Sequence, residues 1–232
     1  MLYVEWKGIR SDTIPGLLIC ELPPITKPKM RTSTTTIDGR DGDIIEELGY
    51  ESYIKTIKIG LTKNYNIDAV AKYFTGEGTL NLSDEPDKIY NCRIVDKIDF
   101  EKLLRFKTAT VKFHTQPFKY LKDEEPQYLI ITTETSLVVN NKGLETSKPI
   151  ITLKGSGEIE LAVNGSTVFK YTFPEGEESV IIDSIKEEAY LNGVYKNRNM
   201  FGIFPKLLVG NNTITWTGNL TEIKVEAKSR WL

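Results

Sequence analysis

The sequence is poor in the residues on which catalytic and metal sites are usually built. Its 232 residues include two cysteines, Cys20 and Cys92, and a single histidine, His114. The cysteines lie far apart, each in a strand-like run, which favours small core residues over a disulfide or a catalytic thiol. One histidine excludes two-histidine metal sites and leaves any nucleophilic triad dependent on a single residue. We therefore expect no enzymatic activity, no metal and no other cofactor.

Long apolar runs and an excess of basic charge are also absent. No run approaches the roughly 18 apolar residues of a membrane-spanning helix, so we expect no membrane partner. Lysine and arginine number 19 against 20 acidic residues over 1–126, and 11 against 12 over 127–232. Nucleic-acid-binding proteins usually carry a basic surplus or a basic stripe. We expect no stable binding of nucleic acid.

Known catalytic and ion-binding motifs are missing as well. The sequence contains no GxxxxGK[ST], HExxH, GxSxG or CxxC spacing. The run from Asp38 to Asp43 is similar to a calcium loop, but an EF-hand needs oxygen ligands at its first, third and fifth positions. Counted from Asp38, these positions hold Arg40 and Gly42, so the motif fails. A turn with locally paired charges, or charges paired across an interface, is the better interpretation.

Two glycan-related alternatives remain open. Three tryptophans suggest a carbohydrate-binding surface, although Trp6 and Trp216 alternate like core residues and Trp231 lies at the C-terminus. A hydrolase of cell-wall glycans would need only two suitably spaced carboxylates, which sequence alone cannot place.

The chain is predicted to be mainly β and to form two domains. Residues 1–119 predict a small β-domain with one helix over Asn64–Phe74, capped by Asn66. Residues 120–127 are polar and acidic and predict a linker. Residues 128–232 contain short strands about ten residues apart, which indicates a β-sandwich. Asn164-Gly165 and Asn192-Gly193 predict two-residue hairpin turns, because both turn positions require positive φ.

The most informative stretch is 34–61. Two strand-like arms, Arg31–Ile37 and Tyr53–Leu61, enclose a charged, glycine-punctuated excursion longer than an ordinary hairpin turn. Such a segment usually contacts a partner surface, and we expect the partner to be a second copy of the chain. The predicted interface residues are Ile37, Asp38, Gly39, Arg40, Asp41, Gly42, Asp43, Ile44, Ile45 and Tyr50. We expect His114 to end a strand at the junction of the two domains, together with Pro117 and Phe118.

Several short motifs, taken in order, resemble the distal tail protein family of long-tailed, non-contractile phages and related prophages. The motifs span most of the chain: Ile37-Asp38-Gly39-Arg40-Asp41-Gly42 with Gly49-Tyr50, Val111-Lys112-Phe113 with Gln116-Pro117-Phe118, Asn140, Gly143, Pro149-Ile150, Gly155-Ser156-Gly157, Gly202-Ile203-Phe204-Pro205-Lys206-Leu207, Gly210-Asn211-Asn212 and Arg230-Trp231.

This resemblance implies a fold and a role. The N-terminal domains, which in this family are of small-barrel or split-barrel type, would form a hexameric ring, with a galectin-like β-sandwich on the outside. The ring would be the baseplate hub that joins the tail tube protein to the tail-tip protein and lets DNA pass. The protein would reside at the tail tip of the virion after synthesis in the bacterial host cytoplasm. The chain departs from some relatives in having no insertion large enough to be an extra binding domain, which argues against direct receptor binding. The alternative is a carbohydrate-binding module on a structural domain that aids adsorption to the cell wall.

Overall fold

The computed structural model describes residues 2–232, except for the side chains of Thr167 and Val168. The chain divides into two compact units, Met1–Lys122 with Leu232, and Asp123–Trp231. Both units consist mainly of antiparallel strands. This confirms the predicted mainly-β fold class.

Seven strands of the first unit form one curled, half-barrel sheet. The strands of this sheet are β1 (Val4–Trp6), β2 (Ile9–Arg10), β3 (Leu17–Glu21), β6 (Tyr53–Leu61), β7 (Glu77–Leu82), β8 (Glu85–Arg93) and β9 (Thr108–Leu121). The unit also contains the helices α1 (Ile67–Tyr73) and α2 (Phe100–Phe106). Two further strands, β4 (Met30–Thr36) and β5 (Asp43–Tyr50), do not belong to the sheet. The order across the sheet is β2-β1-β7-β8-β9-β6-β3. The core on its inner face includes Trp6, whose ring meets Phe113 edge-on at 5.1 Å.

Helix α1 is the helix that the sequence predicts, in a shorter form. Asn66 caps it by accepting a hydrogen bond from the Ala69 amide at 3.0 Å. The apolar face buries Val70 and Tyr73 against the half-barrel. The predicted range began at Asn64, before the cap.

The second helix, α2, corrects the prediction of a single helix in this part of the chain. The sequence pattern predicts one long strand over Leu103–Thr115. Instead, Asp99 accepts a hydrogen bond from the Lys102 amide at 2.8 Å and starts a helix. Lys107 ends the helix in the left-handed region, with φ of 59°. Only Leu103 of this helix is buried, so the apolar pattern was too weak to indicate a helical period.

Strand β9 is longer than predicted and changes its partners along its length. It pairs with β6 up to Thr115 and with β8 from His114 to Leu121. Pro117 lies where the β8 register shifts and β6 has ended, so its missing N–H leaves no ladder bond unmade. The prediction that His114 ends a strand is therefore wrong, because the strand continues through Pro117.

The predicted linker of 120–127 is longer than the connection that the structure contains. Residues 120 and 121 still belong to β9, and residue 127 begins the first strand of the second unit. Only residues 122–126 lie between the two strands.

The second unit is a β-structure centred on one long strand. Its strands are β10 (Gln127–Ile130), β11 (Ser136–Asn141), β12 (Ile150–Val163), β13 (Thr167–Thr172), β14 (Ser179–Asp183), β15 (Glu188–Leu191), β16 (Val194–Tyr195), β17 (Met200–Gly202), β18 (Gly210–Glu226) and β19 (Arg230–Trp231). Strand β18 pairs with β10, β11 and β12. Alternate residues of β12 and β18 fill the core, including Leu161, Trp216 and Ile223.

Only Asn192-Gly193 forms the predicted two-residue turn, joining β15 to β16 with φ of 50° and 77°. Asn164 and Gly165 also have positive φ, 52° and 71°, but Val163 pairs with Thr167, so Ser166 is a third residue of the loop between β12 and β13.

The sequence Thr217-Gly218-Asn219 predicts a turn between two strands, but in the structure it is a bulge within the single strand β18. Gly218 has φ of 94°, and a Cβ built there would lie 2.2 Å from the Glu158 carbonyl oxygen. The facing strand is irregular at the same place, with register shifts between Lys154 and Gly155 and between Ser156 and Glu160. Glycines that suggested chain reversal therefore serve to let two continuous strands approach closely.

Candidate assembly interface

Residues 30–50 form a β-hairpin that belongs to neither large sheet. Strand β4 pairs with β5 over seven positions, from Met30 opposite Tyr50 to Thr36 opposite Asp43. One extra residue, Leu48, forms a bulge beside Gly49, which has φ of 101°. The two predicted arms therefore belong to different sheets, because the partner of β4 is β5, while Tyr53–Leu61 belongs to the half-barrel.

The charged, glycine-containing run forms the tip of this hairpin. Gly39 and Gly42 have φ of 81° and 75°, conformations that glycine adopts without a steric cost. The Arg40 amide donates to the Ile37 carbonyl oxygen at 3.1 Å, and the Thr36 hydroxyl donates to Asp43 Oδ1 at 2.9 Å. Asp38, Arg40 and Asp41 are exposed at the tip, where neither sheet covers them.

The body of the hairpin is exposed on both faces. Every residue of β4 and β5 is exposed except the terminal Met30 and Tyr50, which are half-buried. The exposed positions include Ile44, Leu48 and Ile45, the last with 65% of its surface accessible. Ile44 and Ile45 alternate, so each face of the ribbon presents an isoleucine. A two-stranded hairpin with no buried face is marginally stable by itself in water.

The base of the hairpin is fixed to the half-barrel. Tyr50 packs edge-on against Phe118 of β9 at 5.7 Å, and the Glu51 amide donates to the Lys29 carbonyl oxygen at 2.8 Å. Arg31 Nη2 donates to the Leu48 carbonyl oxygen at 3.2 Å across the bulge. The hairpin is therefore a defined extension whose base is anchored and whose tip and faces are open.

Most predicted interface residues lie together on this one element. Residues 37–45 form its tip and the start of β5, and Tyr50 forms its base. Of the other predicted residues, Phe118 contacts Tyr50, Pro117 lies in the β9 bulge, and His114 Nε2 lies 3.3 Å from the Ser52 hydroxyl. The sequence identified the segment but not the strand β5 that gives it shape.

A second feature, which the sequence did not indicate, is a buried polar cluster inside the half-barrel. Lys55 on β6 is 1% exposed, and its Nζ has no hydrogen-bond partner in the described part of the chain. The ammonium lies 4.5 Å from the Tyr90 ring centre and 5.5 Å from that of Tyr53. Glu85 nearby accepts from Lys119 Nζ at 2.5 Å and from the Tyr90 hydroxyl.

The electrostatics of this cluster follow from burial. Loss of solvent lowers the pKa of Lys55, and the Glu85 carboxylate only partly opposes this effect. Burial raises the pKa of Cys92 to about 11, so its thiol is neutral and unreactive. Across residues 2–232, no group of three or more His, Cys, Asp or Glu side chains is arranged to hold a metal ion. None of the helices in that range has the length and apolarity of a membrane span.

This chain, with its curled half-barrel and second β-unit, is similar in fold to a phage hub protein. The chain matches the crystal structure of the Dit protein of SPP1 with a TM-score of 0.70 and 20% identity, covering 100% of both chains. That structure is described as a paradigm of the hub adsorption apparatus in phages that infect Gram-positive bacteria. The mainly-β fold of distal-tail-protein type that the sequence motifs implied is confirmed.

More distant likenesses are to structures of the phage p2 baseplate in its activated conformation. One, with strontium, has a TM-score of 0.44 and 8% identity over 91% of this chain and 90% of the other. The other, with calcium, has a TM-score of 0.45 and 9% identity over 97% of each chain. No protein-family model and no curated protein sequence matches the chain.

Proposed function

We propose that this chain is a structural, non-enzymatic hub protein of a phage tail tip. Six copies form a ring that joins the tail tube protein to the tail-tip or tail-associated protein and leaves a passage for DNA. The observation that carries this proposal is the likeness of fold to SPP1 Dit over the full length of both chains. The ring is formed by residues 1–119, and residues 128–232 form an outer, galectin-like domain.

The hairpin of residues 30–50 is the arm that holds a neighbouring copy in this proposal. Its open faces and free edges offer backbone donors and acceptors together with Ile44 and Ile45, which a neighbour's strand edge would cover. The base anchored by Tyr50 and Phe118 fixes the direction of the arm. A head-to-tail contact of this kind forms a ring when its rotation closes.

The charge distribution supports passage of DNA rather than its retention. The formal net charge is −2, divided equally between 1–126 and 127–232. A basic lining would hold DNA through its phosphates and slow its movement. The proposed residence is the tail tip of the virion, with synthesis in the host cytoplasm.

The test is the mass of the purified chain in solution. Native mass spectrometry or light scattering should give about six times 26.3 kDa, and negative-stain images should show rings. Ile45→Asp should shift the population to monomers, because a charge would replace an apolar contact on the arm. Ile203→Asp is the matched control, since Ile203 is also 65% exposed but lies in the second unit.

If the parent protein and the Ile203→Asp control are both strictly monomeric at concentrations up to the millimolar range, the ring is excluded. Loss of the ring with Ile203→Asp but not with Ile45→Asp would assign assembly to the other unit.

A second candidate function, binding of a cell-wall glycan, is favoured by one groove on the second unit. The groove, of about 700 Å³, is lined by the carboxylate of Glu158, the cationic groups of Lys170 and Arg198, the amide of Asn199 and the ring of Phe201. Phe201 is 76% exposed, so its ring face is free to stack on a sugar while the polar groups bond to hydroxyls.

Glycan-array binding or cell-wall pull-down by the purified protein tests this second function. Binding that Phe201→Ala removes and Phe106→Ala retains would support it, because Phe106 is 61% exposed and lies in the first unit. Equal binding by both variants would place the contact elsewhere, and no binding by the parent protein would reject the function.

A further inference from the structure

The two Asn-Gly dipeptides have similar φ angles but different side-chain environments. Both asparagines adopt positive φ, 52° at Asn164 and 50° at Asn192, and each is followed by a glycine with positive φ. Both connect antiparallel neighbours, Asn192-Gly193 through a two-residue loop and Asn164-Gly165 through a three-residue loop that also contains Ser166. Asparagine followed by glycine is the dipeptide in which the next backbone nitrogen most easily reaches the side-chain carbonyl carbon, because glycine has no side chain to obstruct it.

The amide of Asn164 is held by the surrounding structure. Its Nδ2 donates to Asn212 Oδ1 at 2.9 Å, and its Oδ1 accepts from the Thr213 amide at 2.9 Å. Asn212 is fully buried and is itself fixed by bonds to the Leu208 amide and carbonyl groups. Rotation of the Asn164 amide toward the Gly165 nitrogen would break both of its hydrogen bonds.

The amide of Asn192 has no such restraint. The residue is exposed, and across residues 2–232 its side chain makes no hydrogen bond. Gly193 is equally open, since a Cβ built there would meet no atom within 4 Å. The side chain is therefore free to rotate toward the Gly193 nitrogen, and water reaches both atoms.

We propose that Asn192 is a site of spontaneous deamidation in the folded protein and that Asn164 is protected. The Gly193 backbone nitrogen attacks Asn192 Cγ, the Cγ–Nδ2 bond breaks, and ammonia leaves with the proton from the attacking nitrogen. Water then opens the resulting succinimide at either carbonyl to give aspartate or isoaspartate. No oxidant, enzyme or metal is required, since the reaction exchanges ammonia for water.

The modification would change the edge of the second unit. Strand β16 has only two residues, and its pairing of Tyr195 with Tyr190 and Val194 with Leu191 depends on the two-residue turn. Isoaspartate inserts one additional backbone carbon into that turn, so these pairs no longer align. Either product adds a negative charge beside Val194 and Tyr195, which are already exposed.

Peptide mapping by mass spectrometry with isoaspartate detection tests the proposal. The folded protein is incubated in mildly alkaline buffer, and a matched sample is incubated in urea. In urea the two asparagines should react at similar rates. In the folded protein Asn192 should react at least about tenfold faster than Asn164, the factor that corresponds to the net free energy of one to two broken hydrogen bonds.

Asn192→Gln should remove the fast-forming acidic species on ion-exchange chromatography while leaving the slow reaction at Asn164 unchanged. The proposal is overturned if Asn164 reacts as fast as Asn192 in the folded protein. It is also overturned if Asn192 stays intact over a period in which the unfolded chain reacts completely.

Discussion

Replacement of Lys55 by methionine is expected to stabilise the first unit. The Lys55 ammonium is 1% exposed, and no hydrogen bond satisfies it within the described structure. Leaving a buried polar group unsatisfied costs about 1–3 kcal/mol. The contacts with the Tyr90 and Tyr53 rings return about 0.5–2 kcal/mol of this. Methionine has a similar length and no charge, so the net gain in the free energy of unfolding should be about 1 kcal/mol.

The pH dependence of stability distinguishes this electrostatic explanation from a change in packing, which would not depend on pH. Because burial lowers the pKa of Lys55 from 10.5, the folded chain binds fewer protons than the unfolded chain between the two pKa values. The stability of the parent protein should therefore rise with pH across that range. The gain in the free energy of unfolding from Lys55→Met should be largest at pH values below the lowered pKa of Lys55. It should shrink as the pH rises toward the pKa of a solvent-exposed lysine.

Urea unfolding followed by circular dichroism and by exchange of the β6 amides measures the effect. A gain of about 1 kcal/mol corresponds to an increase of about 4 °C in Tm for a unit of this size. Lys58→Met is the control, since Lys58 lies on the same strand but is exposed, and its effect should stay within about 0.5 kcal/mol. Destabilisation of Lys55→Met by more than about 1 kcal/mol would refute the reasoning, since the ring contacts would then outweigh the cost of burial.

Three further predictions concern single positions. Gly218→Ala should destabilise the second unit by about 2 kcal/mol or more in urea unfolding, because φ is 94° and a Cβ would lie 2.2 Å from a facing carbonyl oxygen. Gly165 also has positive φ, but a Cβ added there would meet no atom within 4 Å. Gly165→Ala should therefore destabilise the second unit less than Gly218→Ala does. The Thr132 and Thr133 amides donate to the Glu134 carboxylate and hold its pKa at about 2. The loop of residues 132–134 should therefore loosen only as the pH falls toward that value, and an NMR titration midpoint near 4.5 for Glu134 would contradict this. Exposed Cys20 should react quickly with a thiol reagent and Cys92 only after unfolding, and equal rates in the native protein would contradict the burial of Cys92.

The sequence predicted those elements whose signals are local. The cap of Asn66 and the Asn192-Gly193 turn depend on a few adjacent residues, and both are present as expected. The Asn164-Gly165 reversal is also present, but Ser166 extends it to a three-residue loop. The alternation likewise placed Ala109, Val111 and Phe113 on one side of a strand, and in the structure that side of β9 is buried.

The elements that were missed depend on partners distant in sequence. Strand β5 is exposed except for the half-buried Tyr50 at its end, so no burial pattern indicated it, and its presence follows from pairing with β4. Gly218 suggested a turn, whereas the approach of the Glu158 carbonyl group makes it a bulge. The burial of Lys55 was also unpredictable, since a lysine among apolar residues of a strand is ordinarily assigned to the solvent face.

The open ribbon of residues 30–50 also bears on how separate copies of the protein avoid pairing with one another. A two-stranded ribbon presents two outer strand edges, which is the geometry that promotes uncontrolled fibre growth. The threonines of β4 keep the ribbon hydrated, and Glu46 and Glu47 of β5 carry negative charges that repel the same residues of another copy. Such gatekeeping side chains disfavour indiscriminate edge-to-edge pairing between copies.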